Sequence, residues 1–143
     1  CIRDRLYAVR FMIFLARRGG NDPVPLKEVA DATGISRKYL EQIVSSLTAA
    51  RLVRSNRGSS GGYRLTKSAA NISMLDILTA TEGSLAPVDY LDELPEEPSP
   101  GEACFEVFVW RELHDLIKNY LGSVSLQDII DRSSQLEIDS YSI

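Results

Sequence analysis

"ISRKYLEQIVSSLTAARLVRSNRGSSGGYRL" occupies residues 35–65, and its first half reads as a helix with a marked start. Ser36 is of the type that caps helix N-termini, its side-chain oxygen accepting from a free backbone N–H of the first turn. Leu40, Ile43, Val44 and Leu47 then recur at helical spacing as one apolar stripe, flanked by Tyr39. Arg37, Lys38, Glu41, Gln42, Ser45 and Ser46 fall on its other surfaces, and the helix is expected to run to about Ala50. Just upstream, Leu26 to Thr33 reads as a short helix ended by Gly34, where a helix C-terminus wants a left-handed residue. Two helices joined by the three-residue turn "GIS", the second with polar residues at its N-terminal end, form a helix-turn-helix pattern.

The second half of the stretch changes character. Leu52, Val53 and Tyr63 to Leu65 are short-strand material, and Gly58, Gly61 and Gly62 mark the turn between them. That predicts a β-hairpin attached directly to the helix-turn-helix, a wing. Residues 51–65 carry Arg51, Arg54, Arg57 and Arg64 and no acidic residue. Such a ribbon suits a phosphate backbone. Glycines remove bulk and permit positive φ, while arginines offer planar donors and can enter a narrow minor groove. The plainer alternative is a solvated hairpin with Lys67 beside it as a solubilising charge.

Moving outward, a helix is expected over residues 3–18. Leu6, Val9, Ile13 and Ala16 form its stripe, broadened by Ala8, Met12 and Leu15, and "GGNDPVP" (19–25) stops it. "ISMLDILTATEG" (72–83) reads as another helix, ended by Gly83. Residues 84–103 read as a loop with Pro87, Pro95, Pro98 and Pro100 and six acidic residues from Asp89 to Glu102. A long helix is expected from about Ala103 to Leu121. Phe105, Val109, Leu113, Leu116 and Tyr120 line one stripe, and Phe108, Ile117 and Leu121 widen it. A small winged domain cannot cover so wide a stripe alone, so Phe105, Phe108, Val109, Leu113, Leu116 and Tyr120 are read as a dimerisation face. An intramolecular core helix is the alternative. "SLQDII" (125–130) begins a short final helix capped by Ser125. The fold class that results is mainly α with a small β-hairpin wing. It divides into a winged helix-turn-helix domain (1–83), an acidic Pro-rich loop (84–103), and a long dimerisation helix with a tail (104–143).

Charge follows the same division. Residues 1–67 hold 13 Lys and Arg against 5 Asp and Glu, a net of +8. Residues 68–143 hold 3 against 15, a net of −12, which together make the −4 of the chain. A basic face for a polyanion at one end of an acidic body accounts for that polarity. The longest apolar run, "FMIFLA" (11–16), falls far short of the ~20 residues of a membrane span. No secretory signal pattern is present. The chain does not begin with Met, which is read as trimming or processing. Two cysteines, Cys1 and Cys104, are too few for a disulfide framework and fit a reducing, cytoplasmic setting. His114 has no nucleophile partner in a catalytic motif, Trp110 reads as a packing anchor, and no phosphate-binding loop, zinc spacing or nucleophile elbow occurs. No enzymatic activity is expected.

The segments "RLYAVRFMIFLA", "PLKEVADATGISRKYLEQIVSSLTAARLVRSNRGSSGGYRL", "ILTATEG", "LAPV" and "WRELHDLIKNYL" followed by "SLQDII" resemble the Rrf-two family of bacterial winged-helix regulators along almost the whole chain. The resemblance implies a homodimeric transcription factor, usually a repressor. Its third helix would enter the major groove and its wing the adjacent minor groove. Carried over by residue, the reading helix begins at Ser36 with Arg37, Lys38, Glu41 and Gln42 near the duplex. Arg57 stands at the wing arginine, and Arg54, Gly61 and Arg64 complete the ribbon. Tyr39 and Leu40 match positions that pack the helix onto the body. The chemistry agrees: Gln can bond an adenine edge, Lys or Arg a guanine or phosphate, and Glu cytosine N4. Two half-sites of an imperfect palindrome, one turn or a multiple apart, are expected.

Many members resembling this chain carry an iron–sulfur cluster on three cysteines, often with a nearby histidine, before the long helix. Here the first cysteine position, after "LAPV", falls at Tyr90 or its neighbour, and Val107 stands where the histidine is expected. Only Cys104 matches a ligand position, and one thiolate does not hold a cluster that takes four ligands. A cluster ligated partly from a second subunit is the remaining alternative. The chain is therefore placed with the cluster-free, cysteine-metabolism-repressor type, with no metal and no cofactor. Cys104 is a candidate redox sensor. The ending "EIDSYSI" resembles tails that enter the active site of O-acetylserine sulfhydrylase, which marks Tyr141 and Ile143 as a candidate partner tail. The rival function is a protein-interaction module that uses the winged helix or the tail to hold such an enzyme without binding DNA.

Overall fold

Helix α1 (Ile2–Arg17) is the post around which the chain winds. The computed structural model describes residues 2–18, 21–82, 85 and 106–141. After α1 come α2 (Leu26–Thr33), α3 (Arg37–Ala49), the strands β1 (Val53–Asn56) and β2 (Gly62–Leu65), a short 3-10 turn at Ala69–Asn71, then α4 (Met74–Glu82), α5 (Val107–Ser123) and α6 (Leu126–Tyr141). Helices α3, α4 and α6 pack most extensively on α1, and α2 and β2 touch it as well.

The buried side of α1 is Ala8, Phe11, Met12 and Leu15. This rotates the expected stripe. Val9, Ile13 and Ala16 are only half-buried against the core, and Leu6 is 47% exposed. A helix enclosed by three others buries the face that meets them all, which periodicity alone does not rank. Each of Phe11, Met12 and Leu15 contributes on the order of 2 kcal/mol by leaving water. At the rim of α1, Arg5 Nε lies 3.1 Å from Glu82 Oε1, and this guanidinium holds the Glu82 carboxyl below its ordinary value. Arg18 pairs with Glu28 and lies over the Phe14 ring.

Helix α3 ends in a way no glycine announces. Arg51 adopts φ 60°, the left-handed region. Its N–H donates to Thr48 O at 3.0 Å, and the Leu52 N–H donates to Leu47 O at 3.0 Å. This is the pair of bonds that closes a Schellman cap, with Leu52 and Leu47 both buried as its apolar contact. A side chain in that region costs about 1 kcal/mol. Arg51→Gly is therefore expected to raise stability by about 0.5 kcal/mol after the entropy of the extra glycine is counted. A urea midpoint that falls instead would contradict the assignment.

The hairpin is longer than the apolar residues indicate. Val53, Arg54, Ser55 and Asn56 pair antiparallel with Leu65, Arg64, Tyr63 and Gly62. A third piece joins it: Val24 and Tyr63 exchange both backbone bonds, each 2.9 Å. A single residue between Pro23 and Pro25 leaves no strand pattern to read.

Helix α4 begins two residues later than the apolar run, because Ile72 is buried in extended conformation and Ser73 caps the helix. The Ser73 N–H donates to Asp76 Oδ2 at 3.0 Å and the Asp76 N–H to Ser73 Oγ at 3.1 Å. Ser125 and Asp128 repeat this reciprocal cap on α6, at 2.9 and 3.1 Å. The two capped ends lie side by side. Ser73 and Ser125 form a bridge, the Met74 N–H donates to Val124 O at 2.8 Å, and the Leu126 N–H donates to Ile72 O at 2.9 Å.

The Ser125 backbone N–H, then its hydroxyl, hold the Asp128 carboxyl below its ordinary 3.8. A carboxyl depressed in the fold stabilises it above the unfolded value, and that contribution is lost as pH falls through the folded value. Asp128→Asn should accordingly unfold earlier than the parent at pH 7, with the difference closing below about pH 4. Urea midpoints across pH 3–7 that stay equally separated would contradict this.

The final helix is not short. It spans 16 residues, and Arg17 of α1 reaches across to it, with Nη2 donating to Ser133 Oγ at 2.7 Å and lying 3.4 Å from Glu137 Oε1. Described residues of α5 begin at Val107 and continue two past Leu121. Cys1, Gly83, the segment 84–103 read as a loop (apart from Leu85), Cys104, Phe105 and Ile143 lie outside the described residues, and Tyr141 closes α6.

Candidate nucleic-acid interface

The reading helix is fixed from both ends and from beneath. Gly34 ends α2 at φ 73°, its N–H donating to Ala30 O at 2.9 Å. Ser36 then caps α3, its oxygen accepting from the Tyr39 N–H at 3.4 Å. Leu40, Ile43, Val44 and Leu47 are all buried, as the stripe predicts. Tyr39 stacks edge-on against Tyr7 of α1, ring centres 5.9 Å apart, which ties the exposed start of α3 to the post.

With that underside buried, Ser36, Arg37, Lys38, Glu41 and Gln42 are exposed together on the first two turns of α3. Arg37 Nε lies 3.4 Å from Glu41 Oε1, one turn apart. An exposed pair of this kind adds only about 0.3–0.5 kcal/mol. Its use here is orientation, since it aims the guanidinium along the helix and offsets the one acidic charge on the surface. Alternating sides of the wing divide its roles. Val53 and Leu65 are buried toward the helices, whereas Arg54 and Arg64 stand opposite each other on the other face. Arg57 and Gly58 are exposed at the turn, with Gly58 at φ 121°.

Gly61 has a second reason to be glycine. A Cβ there would sit 2.5 Å from Asn56 O and 2.9 Å from Gly58 O. Thr66 was not among the expected site residues, yet its hydroxyl donates to Arg51 O at 2.6 Å and tethers the exit of the wing to the end of α3. The signal available was only its place directly after β2. Reading helix and ribbon thus form one rigid unit whose solvent face carries Lys38, Arg54 and Arg57.

On α5, Phe108 is 62%, Leu116 66% and Tyr120 63% exposed, and Val109 and Leu113 are exposed beside them. Trp110 and His114 are half-buried on a neighbouring side. No group of three or more His, Cys, Asp or Glu able to hold a metal occurs among the described residues. No described helix is long and apolar enough to cross a membrane.

Comparison with known proteins agrees with this geometry. The family model of Rrf2, described as an iron-dependent transcriptional regulator, matches residues 4–132. The HTH-type transcriptional regulator CymR of Bacillus subtilis (strain 168) is 38% identical over 123 residues, 86% of this chain and 83% of that protein. The HTH-type transcriptional regulator IscR of Xenorhabdus nematophila is 33% identical over 132 residues, covering 92% and 79%. The solved structure of CymR, the global cysteine regulator of B. subtilis, superposes with a TM-score of 0.73 at 34% identity, over 90% of this chain and 94% of that one. These relatives are regulators rather than enzymes, and they give no support to an interaction module that leaves DNA alone. The chain belongs to the Rrf2 family and is a winged helix-turn-helix, DNA-binding transcriptional regulator without enzymatic activity.

Proposed function

We propose that the protein is a cytoplasmic homodimeric repressor that reads an imperfect palindrome with α3 in the major groove and its wing in the minor groove. The observation that carries this is the exposure of Ser36, Arg37, Lys38, Glu41 and Gln42 at the start of α3 and of Arg54 and Arg57 on the wing attached to it, with Gly61 at the wing's turn and Arg64 opposite Arg54 on the same face. Phosphate contacts from the basic residues position the helix, and Gln42, Lys38 and Glu41 contact base edges. Arg57→Ala should weaken operator binding about tenfold and reduce the salt slope by about 1. Fluorescence anisotropy on a duplex selected from bound genomic fragments measures both. Unchanged affinity would remove Arg57 from the interface.

Phe108, Val109, Leu113, Leu116 and Tyr120 form the dimerisation face; Phe105, read with them from the sequence, lies outside the described residues. Monomers rarely leave contiguous apolar rows of this size to water.

A cluster of the family type does not fit the donor set. Thiolates are the normal ligands and four are needed, whereas the chain has Cys1, Cys104 and a single histidine, His114. Colourless protein after anaerobic purification is the expected result, and a visible charge-transfer band would overturn it. Cys104 remains the candidate thiol for redox sensing, and a Cys104→Ser variant that still responds to oxidant would place the switch elsewhere. The global cysteine regulator among the relatives supports reading the tail with Tyr141 and Ile143 as a ligand for O-acetylserine sulfhydrylase. Deleting residues 141–143 should abolish capture of that enzyme, and retained capture would end the assignment.

A further inference from the structure

Beside the wing lies a pocket of about 500 Å³ whose walls come from five parts of the chain, one of them Ala16 of α1. Arg54 and Arg64 enter from the ribbon, Lys67 and Ser68 from the segment after it, Asn21 from the turn before α2, and Gln127 from α6. No acidic side chain lines it. Arg54 and Arg64 are direct cross-strand partners. Like charges placed opposite each other in a ladder repel, and among the described residues neither arginine nor Lys67 has a carboxylate partner. Among the described residues the buried Arg64 Nε–H has no acceptor, a condition that native structures generally avoid.

The hydroxyls sort themselves the same way. Thr66 is committed, since its O–H donates to Arg51 O. Ser68 Oγ accepts from Asn71 Nδ2 at 2.9 Å, which leaves its own O–H to donate. The pocket therefore collects cationic donors with no carboxylate to offset them, its neutral acceptors being the amide oxygens of Asn21 and Gln127. Guanidinium groups match the edges of a tetrahedral oxyanion with paired parallel bonds.

We propose that this pocket is a phosphate-type oxyanion site, held by Arg54, Arg64 and Lys67 with Ser68 donating. Its occupant is either a backbone phosphate of the duplex or the phosphate of a free small molecule. In the first case the wing is anchored by its rear face as well as its tip. In the second the free anion competes with DNA for Arg54 and Arg64 and loosens the wing's hold. Either occupant neutralises the facing guanidinium groups and so removes the cross-strand repulsion.

The test follows the Arg64 Nε–Hε resonance of ¹⁵N-labelled protein in two titrations. One uses inorganic phosphate without DNA, matched against chloride at equal ionic strength. The other uses a short duplex, and only this arm rests on the DNA-binding reading. A saturable shift with phosphate, absent with chloride, assigns the free anion. A shift with duplex alone assigns the backbone. In either case Arg54→Gln and Lys67→Gln, each exposed and checked for an intact amide spectrum, should weaken the effect about tenfold. A resonance that moves in neither titration, or that moves equally with chloride, overturns the site. Duplex bound in an Arg57-dependent way while Arg64 stays still would sink the pocket and leave the DNA interface standing.

Discussion

Replacing Gly62 with alanine should destabilise the fold by about 3 kcal/mol, although at an unstrained site the same exchange stabilises by about 0.4–1 kcal/mol. The reversal comes from one close approach. Gly62 passes so near the segment before α2 that a Cβ would overlap the Val24 carbonyl group and sit 2.7 Å from Pro25 N. These are backbone atoms flanked by two prolines, so nothing flexible can yield. Relief requires β2 to pull away, which breaks both bonds between Val24 and Tyr63. The wing then loses its attachment to the helices, and operator affinity should fall along with stability. Gly122→Ala supplies the contrast. Its Cβ would meet Leu75 Cδ2 at 3.6 Å, an ordinary contact, so the variant should hold or gain stability. Urea denaturation of both variants checks the pair, and equal midpoints would show that the approach of Gly62 to Val24 is not as close as described.

Leu116→Glu should convert a dimer into a monomer and lower affinity for a full palindrome by about 10²–10⁴-fold, the worth of converting the second half-site into an intramolecular contact. Leu116 is in the middle of the α5 row, one turn from Leu113 and Tyr120, and all three are exposed. A carboxylate there must be desolvated against apolar neighbours if the interface is to close. The substitution touches no buried position within the protomer, so the monomer should fold. Sedimentation and half-site anisotropy separate the outcomes. A variant that stays dimeric moves the interface off this row. Loss of palindrome binding with half-site binding kept is the expected signature.

Much of the reading unit was legible because its signals are local. Gly34, Ser36 and the stripe of Leu40, Ile43, Val44 and Leu47 each specify their neighbours within one or two turns, and all were found in the expected roles. The α5 row was legible for the same reason, its exposed residues recurring every three to four positions. What failed depended on partners distant in the chain. Phe11 is buried and Leu6 exposed because of where α3, α4 and α6 approach α1. Helix α6 runs past its expected end alongside α1, whose Arg17, more than 100 residues away, bonds Ser133. Arg51 holds a left-handed position that a glycine search passes over, since the buried Leu47 and Leu52 impose it. Among the site residues, Arg64 is half-buried opposite Arg54, where a count of arginines treats it like the exposed Arg57.

The bonded corner between Ile72–Met74 and Val124–Leu126 has a consequence for target choice. It welds the end of α5 to the base of the same body that holds the reading helix. In the proposed dimer, two copies joined through α5 would act as a pair of callipers with a locked joint, the jaw opening set by these main-chain bonds. Such a tool would measure as well as read, and would reject correct letters printed at the wrong interval.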